Sequence, residues 1–132
     1  MKKHQTTLRV RYAETDQMGV VYYGNYAQYL EIARVEWMRS HGVSYKKMEL
    51  DGVMLPVVNL TINYKKPAVY DEVLTVHTSL KQLPSVKITF LHEIFNEKNE
   101  LLNTAEVTLV FVDMKTNKPM KCPDFLLEKF KS

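Results

Sequence analysis

The chain has 132 residues, 18 basic and 15 acidic side chains, a net charge of +3 and a 45% hydrophobic share. At this length a single domain spanning residues 1–132 buries about two-thirds of its unfolded surface, and the ordinary composition excludes a disordered or fibrous class. The opposite charges are mixed along the chain rather than gathered into a basic stripe, so no nucleic-acid partner is expected. The opening segment MKKHQTTLRV lacks an apolar run of signal-peptide length, and no stretch approaches the length of a membrane span. Cys122 has no second cysteine for a disulfide. A cytoplasmic location fits these features.

In chain order, TTLRVRY alternates, with Leu8, Val10 and Tyr12 on one face and Arg9 and Arg11 on the other, as in a half-buried strand. The loop AETDQMGVVYYG follows. Asn25 is then placed to cap a helix, with Gln28 in the capping-box position and Gly42 as the C-terminal stop. Within that helix Tyr26, Tyr29, Leu30, Ala33 and Trp37 form an apolar stripe, whereas Ile32, Val35 and Met38 lie off it. Such a helix is enclosed on more than one side, by a wrapping sheet or by a sheet and a partner subunit. Four further strands are expected over Leu55–Lys65, Glu72–Leu83, Ser85–Phe95 and Leu101–Asp113, bounded by Pro67, Pro84, Asn96 and Asn99. DFLLEKF adds one or two helical turns at the end. The order predicts an α+β fold, with a five-stranded antiparallel sheet packed on one long helix.

Most chemical motifs can be excluded. His4, His41, His77 and His92 are scattered without a zinc-ligand pattern, so no metal site is expected. His92 falls on the apolar face of its strand between Phe90 and Ile94, where a hydrogen-bonded core histidine is the simpler reading. Gly19 and Gly24 have the GxxxxG spacing of a phosphate loop, but Asn25 and Tyr26 stand where Lys and Ser or Thr are required. No serine lies in a GxSxG elbow, and Cys122 reads as a packing residue. The pairs Lys65–Lys66 and Lys118–Lys121 read as solvated charge, with a phosphate rim as the alternative.

Asp16 stands apart. It lies seven residues before Tyr23 and nine before Asn25, close enough for the loop to fold its carboxylate toward the helix start, where unpaired backbone N–H groups stabilise an oxyanion. On spacing alone, an Asp in a glycine-containing loop is more often a turn-former or a cap. Gly19 and Gly24 are either turn residues or places of close backbone approach to a substrate. Tyr22, Tyr23, Tyr26 and Tyr29 read as core and interface aromatics, with Tyr23 also placed to line a pocket.

The run YAETDQMGVVYYGNYAQYLEIARVEWMRSHG resembles the signature of hotdog-fold thioesterases of the 4-hydroxybenzoyl-CoA type, including the acyl-CoA thioesterases associated with the Tol–Pal system. A second run, INYKKPAVYDEVLTV, is similar to that family's strand-turn-strand element. The resemblance implies a long central helix wrapped by a five-stranded antiparallel sheet, in a homodimer or homotetramer with active sites at the subunit interface. It implies hydrolysis of an acyl-CoA to a free acid and CoA, with Asp16 as nucleophile or general base and the Tyr23 backbone N–H as the carbonyl-polarising group. Gly19, Gly24, Asn25 and Tyr26 are then substrate-binding residues. No cofactor is implied, since coenzyme A is part of the substrate. Tyr23 stands where the Tol–Pal branch usually has His, so no imidazole contribution is carried over. An acyl-carrier-protein thioesterase and a non-catalytic acyl-binding module are the alternatives.

Overall fold

The computed structural model describes residues 3–131. Met1, Lys2 and Ser132, which belong to the expected 1–132 domain, lie outside them. β1 (His4–Arg9) leads through two short 3-10 turns (Tyr12–Glu14 and Tyr23–Asn25) into α1 (Tyr26–Ser40) and α2 (Tyr45–Leu50). Then come β2 (Val53–Met54), β3 (Val57–Tyr64), β4 (Val73–Leu80), β5 (Lys87–Phe95), β6 (Leu101–Val110), β7 (Val112–Asp113), β8 (Lys118–Pro119) and α3 (Asp124–Lys131). The five long strands form an antiparallel sheet in the order β1-β4-β5-β6-β3, and β2-β7-β8 form a smaller one.

Side chains alternate across the sheet, and the register lines up the apolar ones. Leu80, Phe90, Val107 and Leu60 face one another in one row, and Thr78, His92, Ala105 and Ile62 in the next. α1 packs on this face, with Tyr26, Tyr29, Leu30, Ala33 and Trp37 all buried as the apolar stripe predicts. Trp37 meets the Phe90 ring edge-on at 5.4 Å and touches Phe130 of α3, also at 5.4 Å between centroids. His92 is the core histidine expected: it is buried, its Nδ1 lies 2.9 Å from Thr78 Oγ1, and desolvation together with the nearby Arg34 charge lowers its pKa to about 3.

α1 lies chiefly against β1 and β4. β3, at the far edge of the sheet, bonds only β6, and its Val57, Val58, Leu60 and Tyr64 are exposed. Ile32 is 44% exposed, so in one chain the sheet backs the helix rather than enclosing it. Helix α1 ends where expected: Gly42 has φ +76, its N–H donates to Arg39 O, and the Val43 N–H donates to Met38 O. That left-handed residue is one glycine adopts without a Cβ penalty. α2 and the small sheet were not anticipated. Replacing the buried ring in Phe90→Ala is expected to cost about 3–5 kcal/mol, read as a lower denaturant midpoint at unchanged slope.

Candidate active site

The segment from Arg11 to Tyr26 is organised around Glu14. β1 stops at Arg9, and the expected extension to Tyr12 does not form; Tyr12 is 77% exposed and packs edge-on against Tyr70. The cause lies three residues ahead of Arg11. One oxygen of Glu14 accepts the Arg11 backbone N–H at 2.8 Å and the other accepts Arg11 Nε–H at 3.0 Å, which curls the chain into its first 3-10 turn. Tyr29 on α1 donates its hydroxyl to the same carboxylate at 2.8 Å. Burial works to raise the Glu14 pKa, but the Arg11 amide, the Tyr29 hydroxyl and the Arg11 side chain together hold the carboxyl below its usual range.

Asp16 begins a closed loop. Thr15 bridges Val21, Asp16 N–H donates to Val20 O at 2.9 Å, and Gly19 N–H donates back to Asp16 O at 3.0 Å. Asp at the first position and Gly at the last is the pattern of a β-turn, and the turn-forming reading of both residues is borne out. Gly19 has φ +80, a backbone few other residues adopt. One carboxylate oxygen, Oδ1, accepts Met18 N–H at 2.8 Å. The other accepts no hydrogen bond from the described residues, and the side chain faces solvent.

The chain then returns to Glu14. Tyr22 N–H donates to the Glu14 carbonyl at 2.9 Å, and helical geometry starts at Tyr23 rather than after a capped Asn25. Asn25 has helical φ and ψ and makes no side-chain cap, so the expected capping box with Gln28 is absent. Its Nδ2 instead donates to the Glu14 carbonyl at 2.8 Å, tying the helix start to the loop. Asn25 N–H reaches Tyr22 O and Tyr26 N–H reaches Tyr23 O, which leaves the Tyr23 and Gly24 amides ahead of the turn's first bond. Gly24 packs under the exposed ring of Tyr22: a Cβ there would meet its Cε2 at 2.9 Å unless that ring moved aside. Tyr26 is buried, and its hydroxyl accepts the Ala68 N–H at 3.1 Å.

The second sequence motif supplies the remaining support. Val21 N–H donates to Ala68 O, Tyr70 N–H to Gly19 O, and Val20 bridges Val69, so the Pro67–Tyr70 stretch braces the Asp16 loop. Tyr23 lines two hollows. One, of about 340 Å³, is lined by Tyr23, Gly24, Ala27, Leu60, Ile62 and Tyr64. It adjoins another of about 280 Å³ that shares Ala27 and Leu60 and reaches Arg34, so together they form a largely apolar groove between α1 and β3. On the other side of Tyr23 and Tyr64 a hollow of about 240 Å³ is bordered by Lys65, Lys66 and Pro67. A larger concavity, about 550 Å³, is lined mainly by outward-facing residues such as His77, Glu93 and Glu106 and shares no lining residue with these hollows.

Residues 10–130 match the thioesterase-like superfamily. The chain belongs to this superfamily. Over 114 residues it is 40% identical to a putative acyl-CoA thioesterase, YneP, of Bacillus subtilis (strain 168), covering 86% of this chain and 83% of that one. Over 124 residues it is 36% identical to the acyl-CoA thioester hydrolase YbgC of Escherichia coli O6:H1, covering 94% and 92%. The DHNA-CoA thioesterase from Staphylococcus aureus superposes with a TM-score of 0.88 at 40% identity, covering 92% of this chain and 81% of that one. The hotdog fold and the thioester-hydrolase class implied by the two sequence motifs are therefore borne out.

Glu14, Tyr29 and the Ala68 stretch were missed as site-building residues in the sequence. Only the Arg11–Glu14 spacing, three apart where the first motif begins, signals the first of them. Because its folded pKa is lowered, Glu14 contributes stability that is fully present above its unfolded pKa of about 4.3 and is lost as pH falls through the folded value. The stability lead of the wild type over Glu14→Gln is therefore expected to be full near pH 7 and to shrink below about pH 4.5. Denaturant melts across pH 3–7 check this; a pH-independent lead would contradict it.

Proposed function

We propose that the chain, as one domain over residues 1–132, hydrolyses acyl-CoA thioesters with Asp16 as the catalytic carboxylate and the Tyr23 N–H as the group that polarises the carbonyl. The observation that carries this reading is that Tyr23 and Gly24, whose amides precede the first bond of the turn, line the α1–β3 groove, while Glu14 ties the Asp16 loop to the same turn. N–H groups at a helix start stabilise developing negative charge. A thioester carbonyl held there directs its acyl group along Ala27 and Leu60, and its thiol arm past Tyr64 toward Lys65 and Lys66. Asn25 and Tyr26 shape the site from behind, their side-chain polar atoms being engaged with Glu14 and Ala68.

The chemistry follows from the ionised carboxylate. As general base, Asp16 takes a proton from water, the water oxygen bonds to the carbonyl carbon, and the C–S bond breaks to release CoA thiolate. As nucleophile, its oxygen bonds to the carbonyl carbon, CoA leaves as thiolate, and water then cleaves the mixed anhydride. Both routes need the negative charge of Asp16 and the amides that hold the oxyanion. Asp16→Asn keeps the shape and removes that charge, so kcat is expected to fall by about 10²-fold or more. Release of free CoA from short, medium, long and aromatic thioesters measures it, and near-normal turnover of the mutant would sink the assignment. Turnover of wild type only on matched carrier-protein thioesters would identify a carrier-protein thioesterase, and saturable acyl binding without turnover a binding module.

The same reading calls for a second copy. β3 has one free edge, and Val57, Val58, Leu60 and Tyr64 are exposed beside the groove. An exposed apolar edge strand is a template for pairing, and two copies joined β3 to β3 would extend the sheet and roof both grooves. Sedimentation at micromolar concentration is expected to give at least twice the 15.5 kDa of one chain; a monomer would overturn the interface assignment.

A further inference from the structure

We infer that Glu14 is a positioning residue for the reaction, holding the Asp16 carboxylate in register with the Tyr23 and Gly24 amides; this rests on the reading of Asp16 given above. Five hydrogen bonds converge on this one residue. Its carboxylate accepts from the Arg11 amide at 2.8 Å, from Arg11 Nε at 3.0 Å and from the Tyr29 hydroxyl at 2.8 Å. Its carbonyl accepts from the Tyr22 amide at 2.9 Å and from Asn25 Nδ2 at 2.8 Å. The donors come from three places: the end of β1, the return of the loop, and helix α1 with its leading turn. Glu14 is the point at which all three meet, two residues before Asp16 and nine before Tyr23.

The carbonyl bonds set the distance between the two halves of the site. Tyr22 and Asn25 flank the Tyr23 and Gly24 amides, so both ends of the amide-bearing turn hang from the Glu14 carbonyl. The carboxylate bonds fix where that carbonyl points. Tyr29 is buried on the sheet-facing side of α1, so its hydroxyl anchors Glu14 to the body of the helix rather than to the loop. Glu14 is itself 8% exposed and is not among the residues that line the groove. It acts through Asp16 and the amides, not on the substrate. A glutamine cannot replace it, because its amide nitrogen turns a donor toward the Arg11 donors or the Tyr29 hydroxyl, whereas a carboxylate accepts at both atoms. Misplacing a catalytic group by about 1 Å costs up to about 10²-fold in rate.

The test uses the full chain and the acyl-CoA that wild type turns over fastest. Glu14→Gln is expected to lower kcat by about tenfold or more with KM within about twofold, and Tyr29→Phe, which removes one bond and leaves the Arg11 contacts, by about threefold in the same pattern. Glu14→Asp keeps the charge on a shorter arm and is expected to recover part of the loss. Ile88→Val loosens the core away from the site and is expected to leave kcat unchanged, which separates lost stability from lost alignment. Circular dichroism and melts establish that each variant is folded at the assay temperature; should Glu14→Gln not fold, Tyr29→Phe decides. Either variant folded and at wild-type kcat overturns the inference. A fully active Asp16→Asn would instead overturn the reading on which it rests, so the two failures are distinct.

Discussion

A carboxylate withdrawn from water must be met by donors, and Glu14 is where this chain meets that demand. The requirement is local in cause and wide in effect. Satisfying the two oxygens bends the chain at Arg11, just after Val10 has followed β1 into the core, and it draws the hydroxyl of Tyr29 away from any other partner. Once the side chain is fixed, the carbonyl of the same residue faces the returning chain and collects Tyr22 and Asn25. The helix therefore begins where that carbonyl places it. The geometry of the amide pair at Tyr23 and Gly24 is a consequence of burying an acid, rather than of a capping side chain at Asn25.

Where α1 sits on the sheet decides what stands before those amides. The helix leans on β1 and β4; the inner residues of β6 are still buried, but β3 at the sheet edge carries exposed apolar side chains beyond its reach. Close packing on one side and a groove on the other follow from the same placement. Leu60 shows this well: it shares a row with the buried Phe90 and Val107, yet it is 41% exposed. An apolar residue in the core row that the helix does not reach is free to line a groove for an apolar ligand.

The sequence pattern carries the strands, the stripe on α1 and the stop at Gly42, because each depends on a period or on a residue with a special backbone. Other features depend on pairings far apart in the chain, and these were not legible. That β3 would be an edge strand follows from strand order, not from its composition, which reads like that of any buried strand. The end of β1 was misjudged for a related reason: Tyr12 keeps the alternation, but a charged residue two positions on offers the backbone an acceptor, and that bond prevails over the period. Asn25 has the type and spacing of a cap, but the Glu14 carbonyl, eleven residues earlier, claims its side-chain amide instead. Asp16 could be singled out by motif, while its turn bonds to Met18 and Gly19 became visible only in three dimensions.

The exposure of Asp16 has a bearing on the proposed chemistry. One oxygen is spent on the turn, which fixes the orientation of the carboxylate before any substrate arrives. The other is in water, and a hydrated carboxylate is a poor nucleophile and a poor base until part of its hydration is replaced. In a single chain the groove is open along β3, whose Val57, Leu60 and Tyr64 are exposed beside it. On the function proposed here, the second copy and the acyl-CoA share the work of excluding that water, and the same act strengthens the pull of the Tyr23 and Gly24 amides on the carbonyl oxygen. Reactivity then resides in the assembled complex, while the single chain supplies the proposed acid and pair of donors on two segments that the buried Glu14 ties together.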